Sequence, residues 1–229
     1  IYRHIASRQR RFSGYERKWK RVVKAYKEKY PEDYRAFEAS VKREMPDFIH
    51  DEVLWTAAEK PEATRVSGGK VLNAIAAKIP YIVGGAADLA PSTKTYMKGA
   101  GDYSAADRAG RNMHFGIREH AMSAISNGMQ LHGGLQTYCS TFFVFSDYMK
   151  NAMRMSALMK LPVMYILTHD SIGVGEDGPT HEPVEQLAAL RTMPNMHVFR
   201  PADYRETVAA YVSALSSKCP TSIVLSRQN

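Results

Sequence analysis

The chain has 229 residues, of which 45% are hydrophobic and 24% are charged, so it is long enough to bury one large core or two modest ones. No apolar run approaches the about 20 residues that a membrane-spanning helix needs, and the N-terminal segment lacks the apolar stretch of a signal peptide. The two cysteines, Cys139 and Cys219, are too few for a disulfide framework or a thiolate metal site. These features predict a cytoplasmic protein rather than a membrane-spanning or disulfide-rich secreted one.

The net charge of +8 comes from one end of the chain. Residues 1–30 contain eleven Lys or Arg and two Glu, whereas the other 199 residues contain 20 basic and 21 acidic groups. Such a segment can bind RNA or another polyanion. It also carries Trp19, Val22, Tyr26 and Tyr30 at helical spacing, which favours an amphipathic helix with a solvated charged face. We therefore expect a basic helix here and do not expect nucleic-acid binding.

The N-terminal quarter of the chain is predicted to be helical and then irregular. Residues 12–44 have the pattern of two helices interrupted at Tyr30-Pro31, because Pro is favoured at the first position of a helix. Residues 46–64 are polar and contain two prolines, which is typical of a connector. The sequence thus predicts a basic helical linker over residues 1–60.

From about residue 65 the apolar pattern alternates between strand and helix. The predicted strands are Tyr81–Gly84, Asn112–Phe115, Leu135–Cys139, Val163–Thr168, Met196–Phe199 and Thr221–Leu225. The predicted helices are Val66–Lys78, Glu119–Gln130, Phe143–Met159, Val184–Leu190 and Tyr204–Leu215. Short links between alternating strands and helices predict a three-layer α/β/α domain with a mostly parallel sheet over residues 61–229.

Polar residues follow several of these strands. In a parallel sheet the loops after the carboxyl ends of the strands gather along one edge, so we expect these residues to converge. Four clusters qualify: Asp88–Ser92, Arg118-Glu119, Ser140-Thr141, and the loop of residues 168–185. That last loop contains two histidines and several carboxylates, which can move protons on a hydroxylated substrate. Its Asp, Gly, Pro and Thr residues also suit a solvated turn.

Two further features have alternative interpretations. Glu119 begins a predicted helix, so its carboxylate either caps the helix or faces a ligand pocket. Phe142, Phe143, Phe145 and Tyr148 open the next helix, where they either fill the core or form a face for a flat heteroaromatic ring. The residues alone leave both questions open.

Several long segments, in order, resemble the central, pyrimidine-binding domain of transketolase. They are Gly-Ile-Arg-Glu-His-Ala-Met from residue 116, Ser-Thr-Phe-Phe-Val-Phe-Ser-Asp-Tyr from residue 140, and Thr-His-Asp-Ser-Ile-Gly-Val-Gly-Glu-Asp-Gly-Pro-Thr-His-Glu-Pro from residue 168. Gly-Ala-Ala-Asp-Leu-Ala-Pro-Ser from residue 85 and the terminal Leu-Ser-Arg-Gln-Asn also fit. The resemblance implies transfer of a two-carbon ketol unit between sugar phosphates, with thiamine diphosphate as the cofactor.

The resemblance also implies a role for each matching residue. Glu119 is the glutamate expected to hydrogen-bond the aminopyrimidine of thiamine diphosphate and favour its imino tautomer. Phe142, Phe145 and Tyr148 are expected to pack around that ring, with Asp88 near the cofactor. The implied catalytic residues are Glu119, His169 and His181. The residues implied to bind the sugar hydroxyls are His169, Asp177 and His181, and those implied to bind its phosphate are Arg65, Ser92 and Arg227.

The diphosphate-binding half of a transketolase has no counterpart in this sequence. The Gly-Asp-Gly motif with a downstream Asn pair, which the family uses to bind Mg²⁺ and the diphosphate, is absent, so no metal ligands are assigned here. Ile1 in place of Met, and a stop directly after a strand-like run, indicate a piece of a longer polypeptide or a split subunit. We expect a diphosphate-binding domain as partner and a homodimer. The alternative is a stand-alone, non-catalytic module that binds a partner through the same surface.

Overall fold

A computed structural model describes residues 1–56 and 61–229. The predicted domain boundary at residue 60 lies outside these described residues. The helices are α1 (Tyr2–Lys29), α2 (Pro31–Lys42), α3 (Glu52–Trp55), α4 (Thr64–Lys78), α5 (Ala90–Thr93), α6 (Glu119–His132), α7 (Ser146–Met159), α8 (Gln186–Arg191) and α9 (Tyr204–Ser216). The strands are β1 (Ile82–Ala86), β2 (Asn112–His114), β3 (Gln136–Phe142), β4 (Met164–Thr168), β5 (His197–Phe199) and β6 (Thr221–Leu225).

The six strands form one sheet in the order β2-β1-β3-β4-β6-β5, and every neighbouring pair is parallel. Two apolar clusters cover its two faces. On β4, Met164 and Ile166 belong to the cluster with α4 and α9, whereas Tyr165 and Leu167 belong to the cluster with α6 and α7. This alternation follows from the two-residue period of a strand, and it makes the central strands apolar on both sides. The predicted three-layer α/β/α fold is confirmed.

Local signals account for several helix ends. The Asp203 side chain accepts a hydrogen bond from the backbone N–H of Glu206 at 2.8 Å, which caps the start of α9. Lys160 adopts a left-handed conformation with φ of 53° and ends α7 shortly before Pro162. Asp51 caps α3, a short helix inside the segment predicted to be an irregular connector. These ends set the short links that a parallel sheet with helical crossovers needs.

The N-terminal helices break at Tyr30-Pro31 as predicted, but α1 starts at Tyr2 rather than near residue 12. Residues 2–11 contain four Arg, one Gln and one Ala and no Gly or Pro, a composition that lets the helix extend to Tyr2. No residue of α1 is buried, and Trp19 is 57% exposed. The apolar stripe predicted from helical spacing is therefore present as an exposed face.

Residues beyond α2 pack onto the α/β body. Phe48 and Leu54 are buried in the same apolar cluster as α4, and the Lys78 ammonium lies 2.5 Å from an Asp51 oxygen. Arg43 donates a hydrogen bond of 2.8 Å to the Gln136 side chain at the start of β3. These contacts anchor the end of the helical segment to the sheet.

One predicted loop is in fact strand. Ser140 and Thr141 were expected at the edge of the sheet, but β3 runs to Phe142 and both residues are fully buried within it. The Ser140 hydroxyl donates to the Ile166 carbonyl at 2.7 Å, which makes its burial tolerable. These two residues suggested a loop because the sequence shows that they are polar. It does not show the carbonyl on β4 that the Ser140 hydroxyl bonds.

Two smaller observations concern the composition arguments. The Cys139 thiol is buried and unpaired, and burial raises its pKa to about 12, so it is inert as a nucleophile. In the part of the chain that the structure describes, no helix combines the length and the apolarity needed to span a membrane.

Candidate active site at the carboxyl edge of the sheet

The loops that follow β1, β2, β3, β4 and β6 meet at one edge of the sheet. A cavity of about 490 Å³ opens between the first three of these loops. Its lining residues are Ala87, Asp88, Leu89, Ile117, Glu119, Phe145 and Tyr148. Asp88 is exposed and has a left-handed backbone with φ of 63°, a conformation that is uncommon outside glycine and concentrates at functional sites.

Glu119 is the ionisable residue that comes nearest to burial in this cavity. It is the first residue of α6 and is 9% exposed, and Arg118, not Glu119, occupies the capping position. Among the described residues, no side-chain cap hydrogen bond or ion pair involves its carboxylate. Gly116, with φ of 66°, makes the turn that brings α6 back over the cavity. Glu119 is therefore not the capping residue, although its place in the first turn of α6 still suits the helix dipole, and its carboxylate lines the cavity.

The aromatic residues that follow β3 form a continuous stack beside Glu119. The Phe142 and Phe145 rings are parallel to within 11° with centroids 5.9 Å apart, and Tyr148 lies 6.1 Å beyond Phe145. Phe142 is buried, whereas Tyr148 is 68% exposed and reaches the open side of the cavity. The inner end of the stack belongs to the core and the outer end lines a cavity, where stacking of a flat ring stays a prediction.

The stack continues into the loop after β4. The His169 ring lies 3.6 Å from that of Phe142, centroid to centroid, and His181 presents its ring edge-on to Phe145 at 5.3 Å. His169 is 3% exposed and has a left-handed backbone with φ of 61°. Burial, together with the neighbouring Arg65 guanidinium, lowers the pKa of His169 to about 4. His169 is consequently neutral at pH 7.

A cationic group completes the edge on the far side of His169. Arg65 donates from the same nitrogen, Nη1, to the Ser92 carbonyl at 3.1 Å and to His169 Nε2 at 3.3 Å. Burial lowers the pKa of Arg65 and the nearby Arg227 lowers it further, while the exposed Asp177 acts in the opposite direction. Arg227 is also paired with the exposed Glu176 at 3.1 Å, so the two guanidinium groups face two carboxylates. Arg65 is the one without an ion pair among the described residues, and its donors suit an anion.

The eleven residues assigned to a site from the sequence thus form one connected surface. The cavity around Glu119 shares Phe145 with the aromatic stack, and the stack ends at His169, which contacts Arg65. The predicted convergence along one sheet edge is a fact of the structure, although the role of each residue stays a prediction.

Sequence reasoning missed the residues that hold this surface in place. The Thr64 hydroxyl accepts from the Ser226 N–H at 2.7 Å, which fixes the start of α4 against the end of β6 and so sets Arg65 beside Arg227. Asp170 is buried and pairs with Arg200 at 2.7 Å, which anchors the loop that carries His169. Thr168 and Asp170 flank His169 in the motif that starts at residue 168, so the sequence shows where they lie. It does not show their partners, because Arg200 is 30 residues from Asp170 and the bond of Thr168 depends on the orientation of the His169 ring.

Comparison with known proteins decides the family. The family described as “Transketolase, pyrimidine binding domain” matches residues 60–229. The chain belongs to this family. The transketolase of Bacillus subtilis is 54% identical over 215 residues, which cover 93% of this chain and 32% of that protein. The chain therefore spans about a third of the length of the curated transketolases it matches.

Solved transketolases share the fold. A Pichia stipitis transketolase, described as a complex with sedoheptulose-7-phosphate, has a TM-score of 0.90 and 41% identity, and covers 95% of this chain and 33% of that one. A structure described as a split gene transketolase, inactive beta4 tetramer, has a TM-score of 0.59 and 32% identity, and covers 74% of this chain and 53% of that one. The transketolase likeness extends from residues 60–229 into the N-terminal helices, because the B. subtilis and P. stipitis matches cover 93% and 95% of the chain.

Proposed function

We propose that this chain supplies the pyrimidine half of a thiamine diphosphate site and the sugar-phosphate subsite of a transketolase. The complete enzyme would transfer a two-carbon ketol unit from a ketose phosphate to an aldose phosphate, as in the pentose phosphate pathway. The single observation that carries the proposal is the nearly buried carboxylate of Glu119 in an aromatic-lined cavity, where it has no partner among residues 1–56 and 61–229. Membership of the transketolase family gives the cofactor its identity.

The cavity fits one end of that cofactor. Its volume of about 490 Å³ suits a single substituted ring with its linker, and Phe145 and Tyr148 provide flat faces for stacking. Bound thiamine diphosphate supplies carbanion chemistry, and the chain's own residues orient it and control its protonation. Glu119 would share a proton with a ring nitrogen of the pyrimidine, an interaction that is strong because water is largely excluded there.

The second half of the proposal concerns the substrate. Arg65 and Arg227 would hold the phosphoryl group with the Ser92 hydroxyl, because forked guanidinium donors match phosphate oxygens. His169, which is neutral at pH 7, and Asp177 would bind sugar hydroxyls, and His181 would handle a proton beside the aromatic stack. The sugar-phosphate complex of the P. stipitis relative supports this class of substrate.

The remaining parts of the assembly are those that the family implies. We infer that residues 1–60 act as a helical linker and residues 61–229 as the pyrimidine-binding domain. Mg²⁺ and the diphosphate would be bound by a separate diphosphate-binding domain, in a cytoplasmic homodimer. The exposed stripe of α1 and the open side of the Glu119 cavity are surfaces that such a partner would cover.

Reconstitution tests the proposal. The chain is mixed with a separately produced diphosphate-binding domain, thiamine diphosphate and Mg²⁺, and ketol transfer from a ketose phosphate is measured. We expect transfer only in the complete mixture, and a loss of about 100-fold or more with Glu119→Ala. His132→Ala, at the opposite end of α6, is the matched control and should retain activity. Equal transfer by the Glu119→Ala protein would disprove the role given to Glu119.

A non-catalytic, partner-binding role is the second candidate, and the inactive tetramer of the split-gene relative favours it. It predicts no transfer under any reconstitution, together with association through a largely apolar interface that resists salt. Sedimentation of the chain at low and high salt, alone and with the diphosphate-binding domain, separates the two functions.

A further inference from the structure

A long, mostly irregular loop, residues 169–185, carries His181. Among the described residues, the hydrogen bonds of His181 join it only to this loop. Its N–H donates to the Gly178 carbonyl at 3.0 Å, and its Nδ1 lies 2.8 Å from the Thr180 hydroxyl. Because both partners move with the loop, these bonds do not explain why the ring stands edge-on to Phe145, just before α7.

Gln186, the first residue of α8, ties the end of this loop to the start of α7. It is 4% exposed, and its Oε1 accepts from the Val184 N–H at 2.9 Å while its Nε2 donates to Asp147 Oδ2 at 2.8 Å. The backbone N–H can only donate and a carboxylate can only accept, so one orientation of the amide satisfies both partners. A single buried side chain thus joins the loop to a helix 39 residues away in the sequence.

The bond between Gln186 and Asp147 is charge-assisted. Burial alone would raise the pKa of Asp147, but its interactions with Lys150 and Gln186 outweigh burial and hold the pKa below its ordinary value. The carboxylate is therefore ionised at pH 7 and accepts more strongly than a neutral group would. Lys150 contacts the other carboxylate oxygen, Oδ1, at 2.7 Å, so its removal leaves the bond between Gln186 and Oδ2 in place.

This bridge lies beside the contact between His181 and Phe145. Val184 follows His181 by three residues and Asp147 follows Phe145 by two, so the bridge and the ring contact close one short circuit between loop and helix. The other side-chain hydrogen bonds from this loop to the rest of the described chain involve residues 169, 170, 171 and 176, all of which precede His181. Gln186 is therefore the link that follows His181.

We propose that Gln186 is a positioning residue for His181: its bridge to Asp147 holds the end of the loop against α7 and thereby keeps the His181 ring beside Phe145. This inference rests on the proposed function, which gives His181 a proton to handle. A group that transfers a proton must stay within hydrogen-bond reach of its target, so release of the loop end slows the reaction.

The loop, rather than the helix, moves when the bridge is broken. Met149 and Met153 of α7 are completely buried in the apolar cluster on that face of the sheet, so α7 keeps its place. Phe145 and Glu119 consequently remain where they are, and the cavity keeps its affinity for the cofactor. Loss of the bridge should therefore lower turnover without weakening cofactor binding.

NMR of the intact chain tests the positioning without any ligand. With only the His and Phe rings protonated in a deuterated background, the wild type should show a nuclear Overhauser effect between the His181 and Phe145 rings. Gln186→Met keeps the length of the side chain and removes both hydrogen bonds, so the effect should be lost. Gln186→Glu, which sets a carboxylate against that of Asp147, should lose it too. Lys150→Met is the matched control and should keep it.

An exchange of donor and acceptor separates the bridge from a general effect on packing. Gln186→Glu combined with Asp147→Asn lets the Asn amide donate to the Glu carboxylate, so the Overhauser effect should return. Thermal unfolding midpoints report whether each variant is folded, and the double variant decides if Gln186→Met does not fold. The positioning is overturned if folded Gln186→Met keeps the wild-type effect, or if the double variant does not regain it.

Ketol transfer in the reconstituted mixture distinguishes this inference from the proposed function. We expect kcat to fall about 10-fold with Gln186→Glu and to recover in the double variant, with cofactor affinity unchanged in both. An inactive wild-type mixture would reject the proposed function, while the NMR result would still decide the positioning. Wild-type turnover in a variant that has lost the ring contact would reject the role of His181 and the catalytic part of this inference.

Discussion

The α1–α2 segment and the α/β body differ in what happens to their apolar side chains. In the body, alternating residues of the central strands point into two apolar clusters, and Ile75 of α4 is completely buried. In α1, residues such as Trp19 and Val22 form an equally regular stripe that stays exposed. Periodicity therefore predicts a helix and the direction of its apolar face, but that face becomes buried only where another surface packs against it.

Truncation of the core should reveal the largest difference between the two regions. Ile75→Ala opens a cavity beneath the sheet and should lower the free energy of unfolding by about 2–5 kcal/mol. Val22→Ala, on the exposed stripe, should change it by no more than about 0.5 kcal/mol. Urea unfolding of both variants measures the contrast, and comparable losses would mean that α1 is packed against the body.

His169 should make the stability of the body depend on pH in a way that α1 cannot. Its folded pKa of about 4 lies below the value of about 6.5 in an unfolded chain, so on acidification the unfolded state takes up the proton first. The folded state therefore has its full stability above pH 6.5. As pH falls towards 4, its free energy of unfolding decreases by on the order of 2–3 kcal/mol.

Urea unfolding between pH 7 and 4 tests this sign, with His169→Gln as the variant that lacks the titrating ring. The wild type should lose more stability over that range than His169→Gln does. His4→Gln, on α1, is the matched control and should follow the wild type. Parallel profiles for wild type and His169→Gln would show that His169 titrates normally.

The clamp between α4 and the end of β6 should have a smaller effect. Thr64→Val preserves shape but leaves the Ser226 N–H without its acceptor, which should cost about 1–2 kcal/mol and loosen Arg227. Thr56→Val is the control, because the Glu52 carbonyl, which accepts from the exposed Thr56 hydroxyl at 2.9 Å, can bond water once that hydroxyl is removed. Equal stability of the two variants in thermal unfolding would argue against the clamp.

Fluorescence should detect the smallest difference, the exposure of the stripe itself. Single-tryptophan variants Trp55→Phe and Trp19→Phe isolate the two indoles of the chain. Trp19 should emit at longer wavelength and be quenched strongly by acrylamide, whereas Trp55, which donates to the Phe48 carbonyl at 2.8 Å, should be protected. Protection of Trp19 that disappears on dilution would show that association covers the stripe.

The sequence alone determined the order of strands and helices, the parallel sheet, and the edge at which Glu119, His169 and Arg65 meet. These features follow from local periodicity and from the rule that the carboxyl ends of parallel strands lie at one edge of the sheet. Neither the periodicity nor the rule depends on contacts between distant residues. The family resemblance added the identity of the cofactor and substrate, on motifs that span much of the body.

Only the tertiary structure decided which polar residues face the cavity and which are buried partners. The Ser140 hydroxyl bonds a carbonyl of β4, whereas the Glu119 carboxylate has no partner in the part of the chain that the structure describes. In the sequence both are simply polar residues near a strand. The contact between Arg65 and His169 likewise joins positions 104 residues apart. Hydrogen bonds between side chains depend on ångström-scale distances across the fold, which residue spacing along the chain does not encode.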